Sequence, residues 1–148
     1  MPFKKILIAV DGSHGAESAT RLGGELAAGH DAEVLLVHAV PLPPIVAGID
    51  QAISEQSLDY LEKSAQAAIG SAVEILEAMG VKSESIIKPG SPADIVLDVA
   101  DDRDVDVIVV GHRGYGTMRR LILGSVSSKL AHHARCALLL APVEEESP

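Results

Sequence analysis

Residues 105–127 read VDVIVVGHRGYGTMRRLILGSVS. The run 105–110 is short, rich in valine and isoleucine, and closed by Gly111. That pattern predicts a strand buried on both faces. Gly111, Gly114 and Gly116 follow at once and free the backbone to turn and to approach a ligand closely. Gly124-Ser125 then opens a short helix over residues 125–134, whose free N–H groups and positive dipole end suit an anion.

Similar apolar runs recur on either side. Residues 6–10 (ILIAV) end at Asp11-Gly12, and residues 34–40 (VLLVHAV) end at Pro41. Residues 83–88 end at Pro89-Gly90, and residues 137–141 end at Pro142. Each is expected to be a strand buried on both faces. Helical patterns lie between them. The first starts at Ser13 or Glu17 and runs to Ala28, with Gly23 and Gly24 each costing about 1 kcal/mol against alanine unless they permit close packing. The second spans residues 49–79, with a break expected near residues 54–57. The third begins at Ser91-Pro92-Ala93-Asp94, which places an N-cap, a proline in the first turn and an acid behind it. The order β-α-β-α-β-α-β-α-β implies an α/β fold, a parallel sheet with helices on both faces. Ligands of such sheets bind beyond the carboxyl ends of the strands, where the strand order reverses.

Composition narrows the function. The chain has 148 residues, enough for one domain, expected over residues 1–143 with an acidic tail at 144–148. Aromatic residues make up 2% and the formal charge is −9, which disfavours nucleic acid and anionic membrane as partners. The lone Cys136 suits a reducing compartment. No run approaches the roughly 20 apolar residues of a membrane span. Lys4-Lys5 is followed by too short an apolar run for a signal peptide, so a cytoplasmic location is expected. Against this acidic background residues 111–136 carry Arg113, Arg119, Arg120, Lys129 and Arg135 and no carboxylate. A local positive stretch of this kind suits phosphate.

Gly111-x2-Gly114-x9-Gly124-Ser125 resembles the G-x2-G-x9-G-[S/T] motif of the universal stress protein family, in its ATP-binding branch. The resemblance covers nearly the whole chain. It takes in the opening KKILIAVDGS at residues 4–13, the Gly90-x-Pro92 turn, the Val107-Ile108-Val109-Val110-Gly111 run, the Gly124-Ser125-Val126-Ser127 helix start and a final strand after Cys136. It implies a single-domain five-stranded parallel sheet of order 3-2-1-4-5, Rossmann-like and similar to adenine nucleotide alpha hydrolases. It implies that ATP, accompanied by Mg²⁺ or Mn²⁺, is held by four groups of residues. Ala9, Asp11, Gly12 and Ser13 would lie at the end of the first strand, with Asp11 near the ribose. Val40 would offer backbone groups to adenine. Gly111, His112, Arg113 and Gly114 would follow the ribose and phosphates. Gly124, Ser125, Val126 and Ser127 would take the outer phosphates. It further implies a homodimer through the last strand, residues 137–143. There the chain departs from its relatives, with Arg135-Cys136-Ala137 where Pro-Cys-Pro is frequent.

The functional expectation is an ATP-binding stress-response regulatory protein with little or no turnover. No P-loop GxxxxGK[S/T] is present, and no general base stands beside Gly124-Ser125 in sequence. The alternatives are a slow ATPase or a phosphoryl or nucleotidyl transferase, and a nucleotide-free dimeric adaptor. Asp11-Gly12-Ser13-His14-Gly15 lacks the HxGH-type pair of adenylating enzymes. The six histidines form no HxxxH pair and do not suggest a zinc site. His38 is expected to be a satisfied residue in or at the end of a strand, and Cys136 a small buried hydrophobe.

Overall fold

The computed structural model describes residues 3–11, 14–41, 55–112 and 124–142. The elements alternate as the sequence predicts: β1 (Lys5–Ala9), α1 (His14–His30), β2 (Glu33–Val40), α2 (Glu55–Ala78), β3 (Ser83–Pro89), α3 (Pro92–Asp102), β4 (Val107–Gly111), α4 (Ser125–His133) and β5 (Ala137–Ala141). The strands form one parallel sheet of order β3-β2-β1-β4-β5. The expected break near residues 54–57 meets the start of α2 at Glu55; residues 49–54 lie outside the described residues.

Side chains alternate across the sheet and divide the core in two. Ile6, Ile8, Val34, Leu36, Val107 and Val109 pack under α1 and α2. Leu7, Leu35, Val37, Ile108 and Val110 pack under α3 and α4. The central strands β1, β2 and β4 are therefore largely apolar on both faces, which is why their sequences run with little polar interruption, His38 being the buried exception.

The edge strand β3 departs from the sequence expectation. Glu84, Ser85, Ile87 and Lys88 are exposed, and only Ile86 packs against the core. An edge position leaves one side of the strand without a neighbour, and the Ser and Glu of SESIIKP already mark it as half-solvated. Glu84 spends its charge on Arg103, at the end of α3.

Gly23 and Gly24 are explained by close packing. A Cβ on Gly23 would stand 2.5 Å from Cδ1 of Ile8, and one on Gly24 2.8 Å from Sδ of Met79. The two glycines let α1 lie tight on β1 and against the end of α2.

At the amino edge a carboxylate ties two strands together. The backbone N–H groups of Lys4 and Lys5 donate to Oδ2 of Asp106, at 2.8 and 2.9 Å. The Asp106 N–H donates to the Lys5 carbonyl at 3.0 Å. The hydrogen bonds from Lys5 and Lys4 hold the Asp106 carboxyl below its usual range. Asp106 thus sets the register in which β1 enters beside β4.

Candidate functional site

β1 stops short of both its neighbours at the carboxyl edge, and this makes a notch. Its ladder with β2 ends at Ala9↔Val37, while β2 runs on to Val40. Its ladder with β4 ends at Ile8↔Val109, while β4 runs on to Gly111. The chain also reverses direction here: α1 and α2 cover one face, and α3 and α4 the other. A notch at the carboxyl edge, between oppositely wound halves, is where a doubly wound sheet binds ligands.

The β2 side is fixed by backbone and ring hydrogen bonds. The Val10 N–H donates to the Val37 carbonyl at 2.9 Å. The Val10 carbonyl accepts from Nδ1 of His38 at 2.8 Å. His38 is a satisfied strand residue, as the sequence suggests, but its partner lies on the neighbouring strand. The next residue, Asp11, is exposed at the mouth of the notch. The Val40 carbonyl accepts the Gly90 N–H at 2.9 Å, which leaves it one further lone pair for a ligand. Gly90 needs its glycine: φ is +141°, and a Cβ would meet Ile95 at 3.0 Å. That turn delivers Ser91 and Pro92 to the start of α3.

The β4 side is built on a contact between two backbones. A Cβ on Gly111 would lie 2.3 Å from the carbonyl oxygen of Gly15 and 2.7 Å from its Cα. The first turn of α1 therefore presses directly on the end of β4. Next along, the His112 N–H donates to the Ala141 carbonyl at 2.8 Å. That amide is spent within the sheet, so His112 has its ring and its carbonyl to offer a ligand.

The third part is the start of α4. The N-cap Gly124 has φ −62° and ψ 163° and supplies no side-chain cap. The first N–H groups of a helix have no partner within it and carry its positive dipole end. Ser125 is exposed, Val126 packs against the core, and Ser127 is 3% exposed. Ser125 is thus the accessible hydroxyl of the pair. His132 and His133 sit in the last turn, where they complement the negative end. Of the basic side chains in residues 111–136, Lys129 is committed to Asp94 of α3 at 2.7 Å.

The structure so places Ala9, Asp11, Val40, Gly111 and His112 at the carboxyl ends of three adjacent strands. Gly124, Ser125, Val126 and Ser127 open the helix that follows β4. Gly12, Ser13, Arg113 and Gly114 lie outside the described residues, as do Arg119 and Arg120. Sequence reasoning missed the roles of Gly15 and of the His38 ring. Both are contacts between elements distant in the chain, and no local pattern marks them.

A sequence profile of the universal stress protein family matches residues 2–142. The chain belongs to the universal stress protein family. It is 34% identical over 140 residues to a universal stress protein of Thermus aquaticus, covering 93% of this chain and 98% of that one. Among solved structures, the universal stress protein UspA from Lactobacillus plantarum superposes with a TM-score of 0.83 at 22% identity, covering 95% of this chain and 99% of that chain. The universal stress protein from Archaeoglobus fulgidus in complex with dAMP superposes with a TM-score of 0.69 at 25% identity, covering 95% of this chain and 98% of that chain. The strand order 3-2-1-4-5 is the family fold.

Elsewhere, a groove of about 620 Å³ lies at the opposite edge, lined by residues that include Asp31, Glu33, Lys82 and Glu84. Its acidic lining and the nearby ends of α1 and α2 make it unsuited to an anion. Cys136 is half-buried against the core, and burial pushes its thiol pKa up, so it is not activated as a nucleophile. Among the described residues no helix is long and apolar enough to cross a membrane.

Proposed function

We propose that this universal stress protein binds ATP in the notch at the end of β1 and serves as a regulatory protein with little or no turnover. The observation that carries the reading is the start of α4 at the carboxyl edge, with a Gly124 N-cap that supplies no side-chain cap and an exposed Ser125. The relative of known structure from Archaeoglobus fulgidus, which holds dAMP, supports an adenine nucleotide as the ligand class. Adenine and ribose lie toward Val40 and Asp11. The ribose and inner phosphates follow Ala9, Gly12, Ser13, Gly111, His112, Arg113 and Gly114. The outer phosphates meet the N–H groups of α4, that of Ser127 included, and the hydroxyl of Ser125, while Val126 and the buried Ser127 side chain support that turn from the core.

The donor set fits a triphosphate: helix N-terminal N–H groups and a hydroxyl favour anionic oxygens. A divalent cation such as Mg²⁺ arrives with the phosphates and needs few protein ligands, because it keeps most of its water.

A homodimer through residues 137–143 is part of the same reading. β5 is the last strand of the sheet, and its Leu138, Leu139 and Leu140 are only half-buried. Pairing with a second copy covers an edge that is otherwise open to aggregation. A location in the cytoplasm accords with the lone cysteine.

The test combines nucleotide content with affinity. Purified protein is denatured and any released nucleotide identified, and ATP and AMP are then titrated with Mg²⁺ by calorimetry. The expected result is ATP binding that Gly114→Val abolishes. Ser125→Ala weakens ATP more than AMP. Absence of both bound nucleotide and binding heat overturns the reading and favours a nucleotide-free dimeric adaptor. Stoichiometric phosphate release in a single turnover favours the slow ATPase instead.

A further inference from the structure

His38 is 8% exposed and sits on the α1 and α2 face of β2, in line with Val34 and Leu36. Its neighbours on that face are aliphatic. What the ring adds is a hydrogen bond of 2.8 Å from Nδ1 to the Val10 carbonyl. A carbonyl only accepts, so Nδ1 carries the proton.

The position of this bond is what gives it meaning. The β1–β2 ladder ends at Ala9↔Val37, with one further bond from the Val10 N–H. A continued parallel ladder would offer the Val10 carbonyl to the Ala39 amide. The imidazole reaches that carbonyl from the side-chain layer. The chain is thereby held at Val10, the residue just after β1, on both the N–H and the C=O, at the point where the two strands part. β2 continues with β3 to Val40↔Pro89, while β1 turns away at Asp11. The ring thus fixes the angle at which Asp11 leaves the sheet, relative to Val40 two residues further along its own strand.

We propose that His38 is a positioning residue of the nucleotide site, setting the spacing between Asp11 and the Val40 backbone through its bond to the Val10 carbonyl. The inference rests on the nucleotide reading above and adds to it a residue that does not touch the ligand. Because the bond acts on the adenosine side, its loss weakens every ligand that carries adenosine by one common factor. It leaves the grip of α4 on phosphate unchanged. Simple destabilisation of the fold would not separate the two.

The test measures the affinity of wild type, His38→Leu, His38→Asn and His38→Gln for adenosine, AMP, ATP and inorganic tripolyphosphate. The side-chain amide of asparagine can donate from near the Nδ1 position, whereas that of glutamine reaches further. His38→Leu and His38→Gln are expected to lose about tenfold for adenosine, AMP and ATP alike, the size of one lost hydrogen bond. Tripolyphosphate affinity stays within about twofold on the same scale. His38→Asn recovers most of the nucleotide affinity, and nitrogen NMR of the wild type finds the His38 proton on Nδ1. If wild type binds nucleotide and His38→Leu binds it equally well, the positioning role falls and the nucleotide reading stands. If His38→Leu does not fold, equal affinities of the asparagine and glutamine variants overturn the role just as firmly. If wild type binds no nucleotide, the reading and the inference fall together.

Discussion

Gly111→Ala tests whether the first glycine of the motif is demanded by the fold before any ligand arrives. The added Cβ would lie 2.3 Å from the Gly15 oxygen, 2.4 Å from its carbonyl carbon and 2.7 Å from its Cα. Ordinary contact begins near 3.4 Å, so one backbone must retreat by about 1 Å at a helix start where interiors are closely packed. Neither partner has a side chain that can change rotamer to relieve the clash. Overpacking of this kind costs about 1–3 kcal/mol. At about 2–4 °C per kcal/mol for a chain of this length, Tm falls by roughly 2–12 °C. The assay is urea denaturation without nucleotide, backed by a thermal melt. Gly70→Ala in α2 is the control, because nothing lies within 4 Å of its added Cβ; that variant gains up to about 1 kcal/mol from helix propensity. The reasoning is refuted if Gly111→Ala keeps the wild-type stability to within about 0.5 kcal/mol, the usual scatter of a neutral substitution.

The paired glycines of α1 should behave differently from each other. In Gly23→Ala the Cβ meets Cγ1 of the fully buried Ile8 at 2.8 Å, so overpacking outweighs the propensity gain and stability falls by about 1–3 kcal/mol. In Gly24→Ala the obstacles are the ends of Met79 and Leu76; the flexible Met79 yields, and stability stays within about 1 kcal/mol of wild type. Equal losses in denaturant midpoints would contradict the distinction. Asp106→Asn removes the charge that accepts the Lys4 and Lys5 amides and costs about 1 kcal/mol at pH 7, a charge-assisted bond discounted for exposure. Because the folded carboxyl is held below its usual pKa, its contribution is complete above the unfolded value of about 3.9 and disappears as pH falls through the folded value. Wild type and variant should therefore converge in acid, and a difference that grows as pH falls would refute the role.

Much of this fold is legible because its central strands are buried on both faces. Residues 6–10, 34–40 and 105–110 had to be nearly continuous apolar runs, and they read as such. The Ser91-Pro92 start of α3 is local chemistry and was equally plain. β3 is a strand as expected but is not buried on both faces, because a strand at the edge needs only one apolar residue in contact, here Ile86, and its length alone does not show its place in the sheet. Strand order entered only through the family resemblance, since no residue of β1 states that β4 lies beside it. The same limit hid the His38–Val10 bond, the Gly15–Gly111 contact and the Asp106 clip, which join residues 28, 96, 101 and 102 positions apart.

The glycine pattern carries two messages that the sequence superimposes. Gly111 answers to Gly15, and Gly90 answers to a positive φ and to Ile95. Both would be required in a protein of this fold that bound nothing. Gly124 differs. Its φ is one that any residue adopts, and it leaves α4 uncapped where serine, threonine or aspartate would satisfy the helix from within. A glycine N-cap forgoes a few tenths of a kcal/mol of capping, a cost that an arriving phosphate can offset by taking the same N–H groups. The diagnostic weight of the motif therefore rests on Gly124-Ser125 rather than on Gly111. A direct consequence is that Gly124→Asp should stabilise the free protein while competing with the outer phosphates of ATP. A capping residue that raised stability and left ATP affinity intact would place the phosphates elsewhere.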